Sequence, residues 1–272
     1  MKKTFLLLLF MFVPLFASVG IGQVEIIEPE STVISYGNTF NGNYIGPGQT
    51  MSIMISTKVD KGGIYGEGGY WDFLKTGTLP EGWTASESEY GKYLKINLRA
   101  PSDAKEGKYI IPIIVSDDEN LDEIGGEVKF FMEIEVKYDL VYLDVKPERM
   151  VVSTGSPARY YITIENPSTA SDIFVIETDG LKGWEYTKEV FVPSRGKIET
   201  YYEIVNMEEK EIPLKVRVYS LSSDKINHEK DITLITKSNP YYDILSTKNG
   251  LLLYPPFEYL IYGFFYFIAS LL

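Results

Sequence analysis

The sequence predicts an all-β fold with two β-sandwiches in tandem, followed by a hydrophobic C-terminal helix. Apolar and polar residues alternate in short runs, and turn-forming residues interrupt these runs about every ten positions. Between the two ends, no stretch keeps the apolar repeat of about 3.6 residues that an amphipathic helix shows. The stretch LPEGW ending at Trp83 is echoed by LKGW ending at Trp184, which indicates an internal repeat.

Residues 1–22 have the pattern of a signal peptide. Lys2 and Lys3 form the positive start, residues 5–16 are mostly apolar, and small residues follow within 17–22. Cleavage after the small residues would release the mature chain. An uncleaved anchor helix is the alternative, although the apolar stretch is short for a membrane span.

Residues 23–138 form the first predicted sandwich. The clearest strand signal lies at 128–136, where apolar residues recur at every second position and so point to one face. The predicted strands of this unit are residues 51–56, 93–98, 109–116 and 128–136.

Residues 139–238 form the second predicted sandwich. The interval between Trp83 and Trp184, 101 residues, also separates Pro112 from Pro213. We therefore expect both tryptophans to be buried at equivalent core positions, and each proline to open or edge a strand. The predicted strands of this unit are residues 140–146, 160–164, 173–177, 198–204, 214–218 and 232–236.

Residues 251–272 predict a transmembrane anchor, which follows a juxtamembrane linker at 239–250. The segment is apolar apart from Glu258 and a Pro255-Pro256 break. As a helix it would be about 33 Å long, enough to cross a hydrocarbon core of about 30 Å. Membrane lipid is therefore an expected partner. The chain would cross the cell membrane once, with both sandwiches extracellular.

The orientation of this anchor has no support from charge, because no Lys or Arg follows the segment. Three alternatives stay open. The tail could lie along the membrane surface, be buried in a membrane-protein partner, or be removed by surface-sorting processing.

The composition excludes several kinds of site. A formal net charge of −12 would repel nucleic acid, so no nucleic-acid partner is expected. The chain has no Cys and one His, which excludes disulfides, thiol nucleophiles and zinc sites built from several Cys or His. No catalytic motif is present. We expect neither an enzyme nor a bound cofactor.

One acidic turn is a weak candidate for calcium. Asp118, Asn120 and Asp122 have the first three ligand spacings of an EF-hand loop. Glu123 stands where that loop needs Gly, and Lys129 stands where it needs Glu. The segment is therefore not an EF-hand. A looser calcium site and a solvated turn without metal both remain open.

The glycine- and aromatic-rich segment at 61–73 is the candidate contact site. The first unit has about six more residues before its Trp than the second unit, and the extra residues fall in or near this segment. A segment that the fold does not need is freer to serve binding. Tyr65, Tyr70 and Trp71 could stack on sugar rings or dock a partner. The alternative is that these rings fold down and cap the end of the sandwich.

Several segments together resemble a known module. A Pro-Gly turn precedes the strand at 51–56, LPEGW ends at Trp83, and APSDA at 100–104 is followed by GKY at 107–109. This combination is similar to the NPCBM-associated Ig-like module, which is often found beside carbohydrate-active domains. It is also similar to the Ig-like repeats of archaeal S-layer-type surface proteins. The second unit has a poorer copy, without the APSDA segment.

The resemblance implies two tandem Ig-like sandwiches with a stalk, spacer or assembly role at the cell surface, and it supplies no catalytic residues. We therefore expect a membrane-anchored extracellular structural or interaction protein of the cell envelope, with a surface or membrane protein as partner. The alternative is a carbohydrate-binding accessory module that binds a glycan through the loop at 65–73.

Overall fold

The computed structural model describes residues 22–63, 65–117 and 124–238, together with Ile268. In the three described ranges the regular structure consists of strands, so the protein is all-β there. Among the described residues, no helix has the length and apolar character that a membrane crossing requires. The predicted signal peptide, anchor and linker, and the acidic turn with Asp118, Asn120 and Asp122, lie outside the described residues, apart from Gly22 and Ile268.

The first sandwich is built from two main sheets that enclose one core. One sheet has the order β2-β1-β4-β9-β8 and the other β3-β11-β10-β7, while β5 and β6 form a separate hairpin. The strands are β1 (Gln23–Glu28), β2 (Thr32–Ser35), β3 (Thr39–Ile45), β4 (Thr50–Ser56), β5 (Lys58–Val59), β6 (Gly69–Tyr70), β7 (Phe73–Thr76), β8 (Thr84–Tyr90), β9 (Tyr93–Arg99), β10 (Gly107–Asp117) and β11 (Gly126–Val136).

Alternation along the strands builds the first core. In β4, Met51, Ile53 and Ile55 are buried, while the residues between them face outward. Because successive side chains in a strand point to opposite faces, this pattern gives one apolar and one polar face. Trp83 is 5% exposed and packs against Tyr109, with ring centroids 5.2 Å apart.

The second sandwich also has two sheets. One has the order β12-β14-β17 and the other β13-β19-β18-β15-β16. The strands are β12 (Tyr142–Lys146), β13 (Arg149–Val152), β14 (Pro157–Glu165), β15 (Asp172–Asp179), β16 (Tyr186–Val192), β17 (Lys197–Val205), β18 (Lys210–Ser220) and β19 (Asn227–Thr236). The largest fully buried side chain of this core is Tyr160, whose hydroxyl donates a hydrogen bond to the Thr233 carbonyl at 2.9 Å.

The two units share their turns but differ in one strand. The Trp83 amide donates to the Pro80 carbonyl, and the Trp184 amide donates to the Leu181 carbonyl in the corresponding turn. After the first turn, β8 pairs with β9. After the second turn, β16 pairs with β15, in the opposite sheet. The two strands that follow equivalent turns therefore belong to different layers of their sandwiches.

This difference corrects the prediction for Trp184, which is 41% exposed rather than buried in a core. The space beside its turn holds the rings of Tyr186 and Tyr202, whose centroids are 5.7 Å apart. The Tyr202 hydroxyl donates to the Trp184 carbonyl at 2.8 Å. The main chain of Trp184, and not its indole, therefore meets this core.

The two repeat prolines lie inside long strands and do not open them. Pro112 is within β10, and the pairing of β10 with β7 begins only at Ile113. Pro213 is within β18, and the pairing of β18 with β15 begins only at Lys215. Each proline therefore stands where its strand is paired on one side only, which explains how a residue without an N–H is tolerated.

Candidate functional site

The predicted contact loop is divided between core and surface. Trp71 is 3% exposed and belongs to the first core, which corrects the expectation that it faces a partner. Its amide donates to the Thr57 carbonyl at 2.7 Å. Tyr65 and Tyr70 are 73% and 50% exposed. Because neighbouring residues of an extended chain point in opposite directions, Tyr70 faces solvent while Trp71 faces the core.

Glycine is required where this loop approaches its own base. A Cβ atom at Gly68 would lie 1.9 Å from the Val59 carbonyl oxygen, and its φ of +83° lies in the left-handed region. Only glycine meets both conditions without strain. The loop is thus held tightly at its base, with Tyr65 in the loop beyond it and Tyr70 in β6, where it is paired with Lys58.

The residues on both sides of the acidic turn are described. The Asp117 carboxylate accepts a hydrogen bond from the Gly125 amide at 2.7 Å and so closes the base of the turn. Within the described ranges, no three His, Cys, Asp or Glu side chains are grouped so that they could hold a metal ion.

A buried polar cluster joins the two sandwiches, and the sequence analysis did not find it. Gln49, directly before β4, is 1% exposed. Its amide nitrogen donates to the Asp172 carboxylate of the second unit at 2.6 Å. Its amide oxygen accepts from the Ser168 hydroxyl at 2.7 Å and from the Gly46 amide at 2.8 Å. Two of these three hydrogen bonds reach the second unit, so the side chain connects the two sandwiches.

Asp172 is the centre of this cluster. It is 5% exposed, and its carboxylate accepts hydrogen bonds from the Ser220 hydroxyl at 2.6 Å, the Ser222 hydroxyl at 2.8 Å and the Ile173 amide at 2.8 Å, besides Gln49. A buried carboxylate is costly unless donors surround it. Four neutral donors do so here, and one of them comes from the other sandwich.

A loop of the second sandwich also enters the first. Thr169 donates through its amide and its hydroxyl to the Tyr44 carbonyl, at 2.9 and 2.8 Å. The next residue, Ala170, is 1% exposed and packs in the first core. The loop before β15 of the second unit therefore places a side chain in the core of the first unit.

The backbones approach closely at the turn between β3 and β4. A Cβ atom at Gly48, where φ is +69°, would lie 2.1 Å from the Ser222 carbonyl oxygen of the second unit. One at Gly46 would lie 2.3 Å from Ile226 Cδ1. Both glycines let the turn sit directly against the second sandwich. The geometry of this cluster is that of a structural joint, with no paired acid and base for proton transfer.

A polar cleft of about 540 Å³ lies beside the joint. Its lining includes Ser52, Asn97 and Lys95 of the first sandwich with Ser171 and Arg195 of the second, and it contains no aromatic residue. The Ser52 hydroxyl donates to the Asn97 side-chain oxygen at 3.3 Å. The cleft offers hydrogen bonds but no ring on which a sugar could stack.

No protein-family model matches the sequence, and no curated protein matches it either. Among solved structures, the chain is similar to a chimeric titin Z1Z2 functionalised with a decorin peptide, at 11% identity and a TM-score of 0.38, over 81% of this chain and all of that one. It is similar to the CARDB domain of a Pyrococcus furiosus protein in complex with di-metal ions, at 12% identity and a TM-score of 0.29, over 37% of this chain and 92% of that one.

The chain is also similar to the Yersinia pseudotuberculosis adhesin InvE, at 12% identity and a TM-score of 0.27, over 70% of this chain and 56% of that one. The three TM-scores are below 0.5, so these likenesses carry no information about the function of this protein.

Proposed function

We propose that this chain is a non-enzymatic structural or interaction protein of the cell envelope. In this proposal two Ig-like sandwiches stand outside the cell, and residues 251–272 hold them in the membrane. The observation that carries the proposal is the joint around Gln49 and Asp172, which fixes one sandwich against the other. A spacer needs two domains that span a constant distance, and a buried polar joint without a flexible linker keeps their relative orientation constant.

The connection between the sandwiches supports the same function. The Tyr138 hydroxyl donates to the Ala104 carbonyl at 2.9 Å, and Leu140 and Val141 after it are buried. The Lys225 ammonium lies 4.9 Å from the Tyr138 ring centroid, which links the second unit to this residue. The segment between the units is thus held at both ends, and a hinge between them has little freedom.

The membrane location is tested by truncation. A chain that ends at Gly250 is expected in the soluble extracellular fraction, while the full chain is expected in the membrane fraction. Sedimentation of the truncated chain with membranes at high salt would show that the tail is not the anchor. Purification of the full chain in mild detergent, followed by identification of bound membrane or surface proteins, tests the interaction role separately.

A second candidate function is favoured by the exposure of Tyr65 and Tyr70. Tyrosine rings on a loop that is fixed at its base supply contact area with few rotors to order. A carbohydrate-binding accessory role would use these two rings without Trp71. Glycan-array binding by the native chain, lost on Tyr65→Ala and Tyr70→Ala but kept on Tyr90→Ala, supports it. Tyr90 is a suitable control because it is 67% exposed on another strand.

A further inference from the structure

We propose that the first sandwich binds an extended peptide segment as an added strand beside β7, and that this segment has basic residues at alternate positions. The observation behind the proposal is an unfilled strand position. In the second sandwich, β15 pairs with β18 on one side and with β16 on the other. In the first sandwich, the corresponding strand β7 pairs with β10, and no other strand of the described residues pairs with it.

The position is unfilled because β8 belongs to the opposite sheet. An open edge of this kind presents unpaired backbone donors and acceptors, and extended peptides bind to such edges by main-chain hydrogen bonds. The second sandwich shows that this architecture accepts an antiparallel strand there. The internal repeat thus provides its own example of the occupied state.

A groove runs along this edge. It has a volume of about 360 Å³ and is lined by Asp72, by residues of β7 and β8, and by Leu94 of β9. We call it the β7 groove. Leu74 on one wall and Leu94 on the other are buried, and Phe73 is 37% exposed at the rim. The groove therefore has an apolar floor, and its exposed wall is formed by β8.

Two carboxylates on that wall specify the charge of the occupant. Glu87 is opposite Ile96 and Glu89 is opposite Leu94 in the pairing of β8 with β9. Directly opposite residues share one face of a sheet, and Ile96 and Leu94 are buried. Glu87 and Glu89 therefore point to the inner face, yet both are exposed because no strand covers them. No ion pair involves either carboxylate within the described chain.

The spacing of the carboxylates specifies the spacing of the basic residues. Glu87 and Glu89 are two positions apart, about 7 Å along the strand. A strand bound in the groove has the same rise per residue. Basic residues at positions i and i+2 of the partner would each face one carboxylate, and the residues between them would point outward beside Phe73.

A second copy of this chain is a poor occupant. The sequence has basic residues two apart at Lys215 and Arg217, but β18 is a central strand with neighbours on both sides. It also has them at Arg195 and Lys197, but Arg195 lies in a turn with φ of 52° and not in a strand. The groove therefore favours a different protein. The proposal rests on the function as an interaction module and adds the chemistry of one partner segment.

The test uses the full chain purified in mild detergent and a fluorescently labelled peptide, Thr-Lys-Val-Lys-Val-Thr. Saturable binding is expected, with slower hydrogen exchange of the β7 amides in the complex. The peptide Thr-Lys-Lys-Val-Val-Thr has the same composition and charge but places its lysines on opposite faces, so it should bind more weakly. A peptide with Glu in place of both Lys should not bind.

Variants of the chain complete the test. Glu87→Gln with Glu89→Gln should weaken binding by about tenfold, because two partly exposed ion pairs are lost together. Glu127→Gln with Glu189→Gln removes the same charge from exposed positions on other strands and should leave binding unchanged. Absence of saturable binding, equal binding of both lysine peptides, or self-association through this edge would each overturn the proposal. Those results would leave the proposed membrane location standing, because the truncation experiment tests it independently.

Discussion

The joint between the sandwiches makes a sharp prediction for Gln49→Glu. The new side chain has the same shape, so it leaves no cavity, but it places a second carboxyl 2.6 Å from the Asp172 carboxylate. Two carboxylates this close cannot both ionise, so one of them keeps a proton to a pKa above its ordinary range. Protonated, the introduced carboxyl can donate to Asp172 as the amide does.

The sign of the pH dependence follows from this shared proton. Because the folded state holds a proton that the unfolded chain releases near pH 4.3, stability falls as pH rises from that value to the raised pKa. If the pKa of the shared proton is about three above its value in the unfolded chain, the free energy of unfolding of the variant is lower at pH 5 by about 1 kcal/mol, and at pH 8 by about 4 kcal/mol, than it is well below pH 4. The ordinary protein has no such carboxyl pair at this position.

Guanidinium unfolding at pH 5 and pH 8, followed by tryptophan fluorescence, measures the difference. Gln49→Ala is the control. It removes one hydrogen bond to a charged group and two to neutral groups, which should cost about 3–5 kcal/mol at both pH values. If Gln49→Glu follows the same pH dependence as the native chain, the two side chains are not in contact and the joint described here is wrong.

Three further predictions concern the cores and one surface ion pair. Trp83→Ala should destabilise the first sandwich by about 3–5 kcal/mol, whereas Trp184→Ala, at an exposed position, should cost about 1 kcal/mol or less in the same denaturation assay. Burial raises the pKa of Tyr160 above its ordinary range. The tyrosine of the unfolded chain ionises near pH 10, before that of the folded protein, so stability should fall as pH rises past about 10. Tyr160→Phe should reduce this fall in melting curves recorded at alkaline pH. The hydrogen bond from Lys230 is the largest cause that lowers the pKa of Asp144 to about 2. The stability that this ion pair contributes is therefore present above about pH 4 and is lost as pH falls towards 2. Lys230→Gln should raise the pKa of Asp144, which a carboxyl-carbon NMR titration measures.

Sequence periodicity located the strands that form most of both cores. Residues 51–56 and 128–136 have an apolar residue at every second position, and they lie in β4 and β11. Strand β8 is not predicted from the sequence, because TASESEY has only one apolar residue, Ala85, on its inner face. Strands β1 and β2 are short segments divided by the turn at Pro29, and β3 has the sequence TFNGNYI, in which apolar residues do not recur at every second position.

The placement of single aromatic residues was decided by tertiary structure. LPEGW and LKGW produce equivalent turns, as the sequence indicates. Burial of the tryptophan depends on which sheet receives the next strand, and that choice differs between β8 and β16. Trp71 is buried and its neighbour Tyr70 is exposed for a simpler reason: the chain there is extended, and the core lies on one side of it only.

The sequence by itself determined the all-β class and the internal repeat, because alternation and turn residues act over a few neighbouring positions. It could not show the joint. Gln49 and Asp172 are 123 positions apart, and each is a polar residue beside a turn, where solvent exposure is the ordinary expectation. Only the packed structure brings these two side chains together and excludes water from them. Local sequence fixes which face of a strand is apolar, whereas the choice of sheet, the open edge at β7 and the contact between the sandwiches depend on distant residues packing at once.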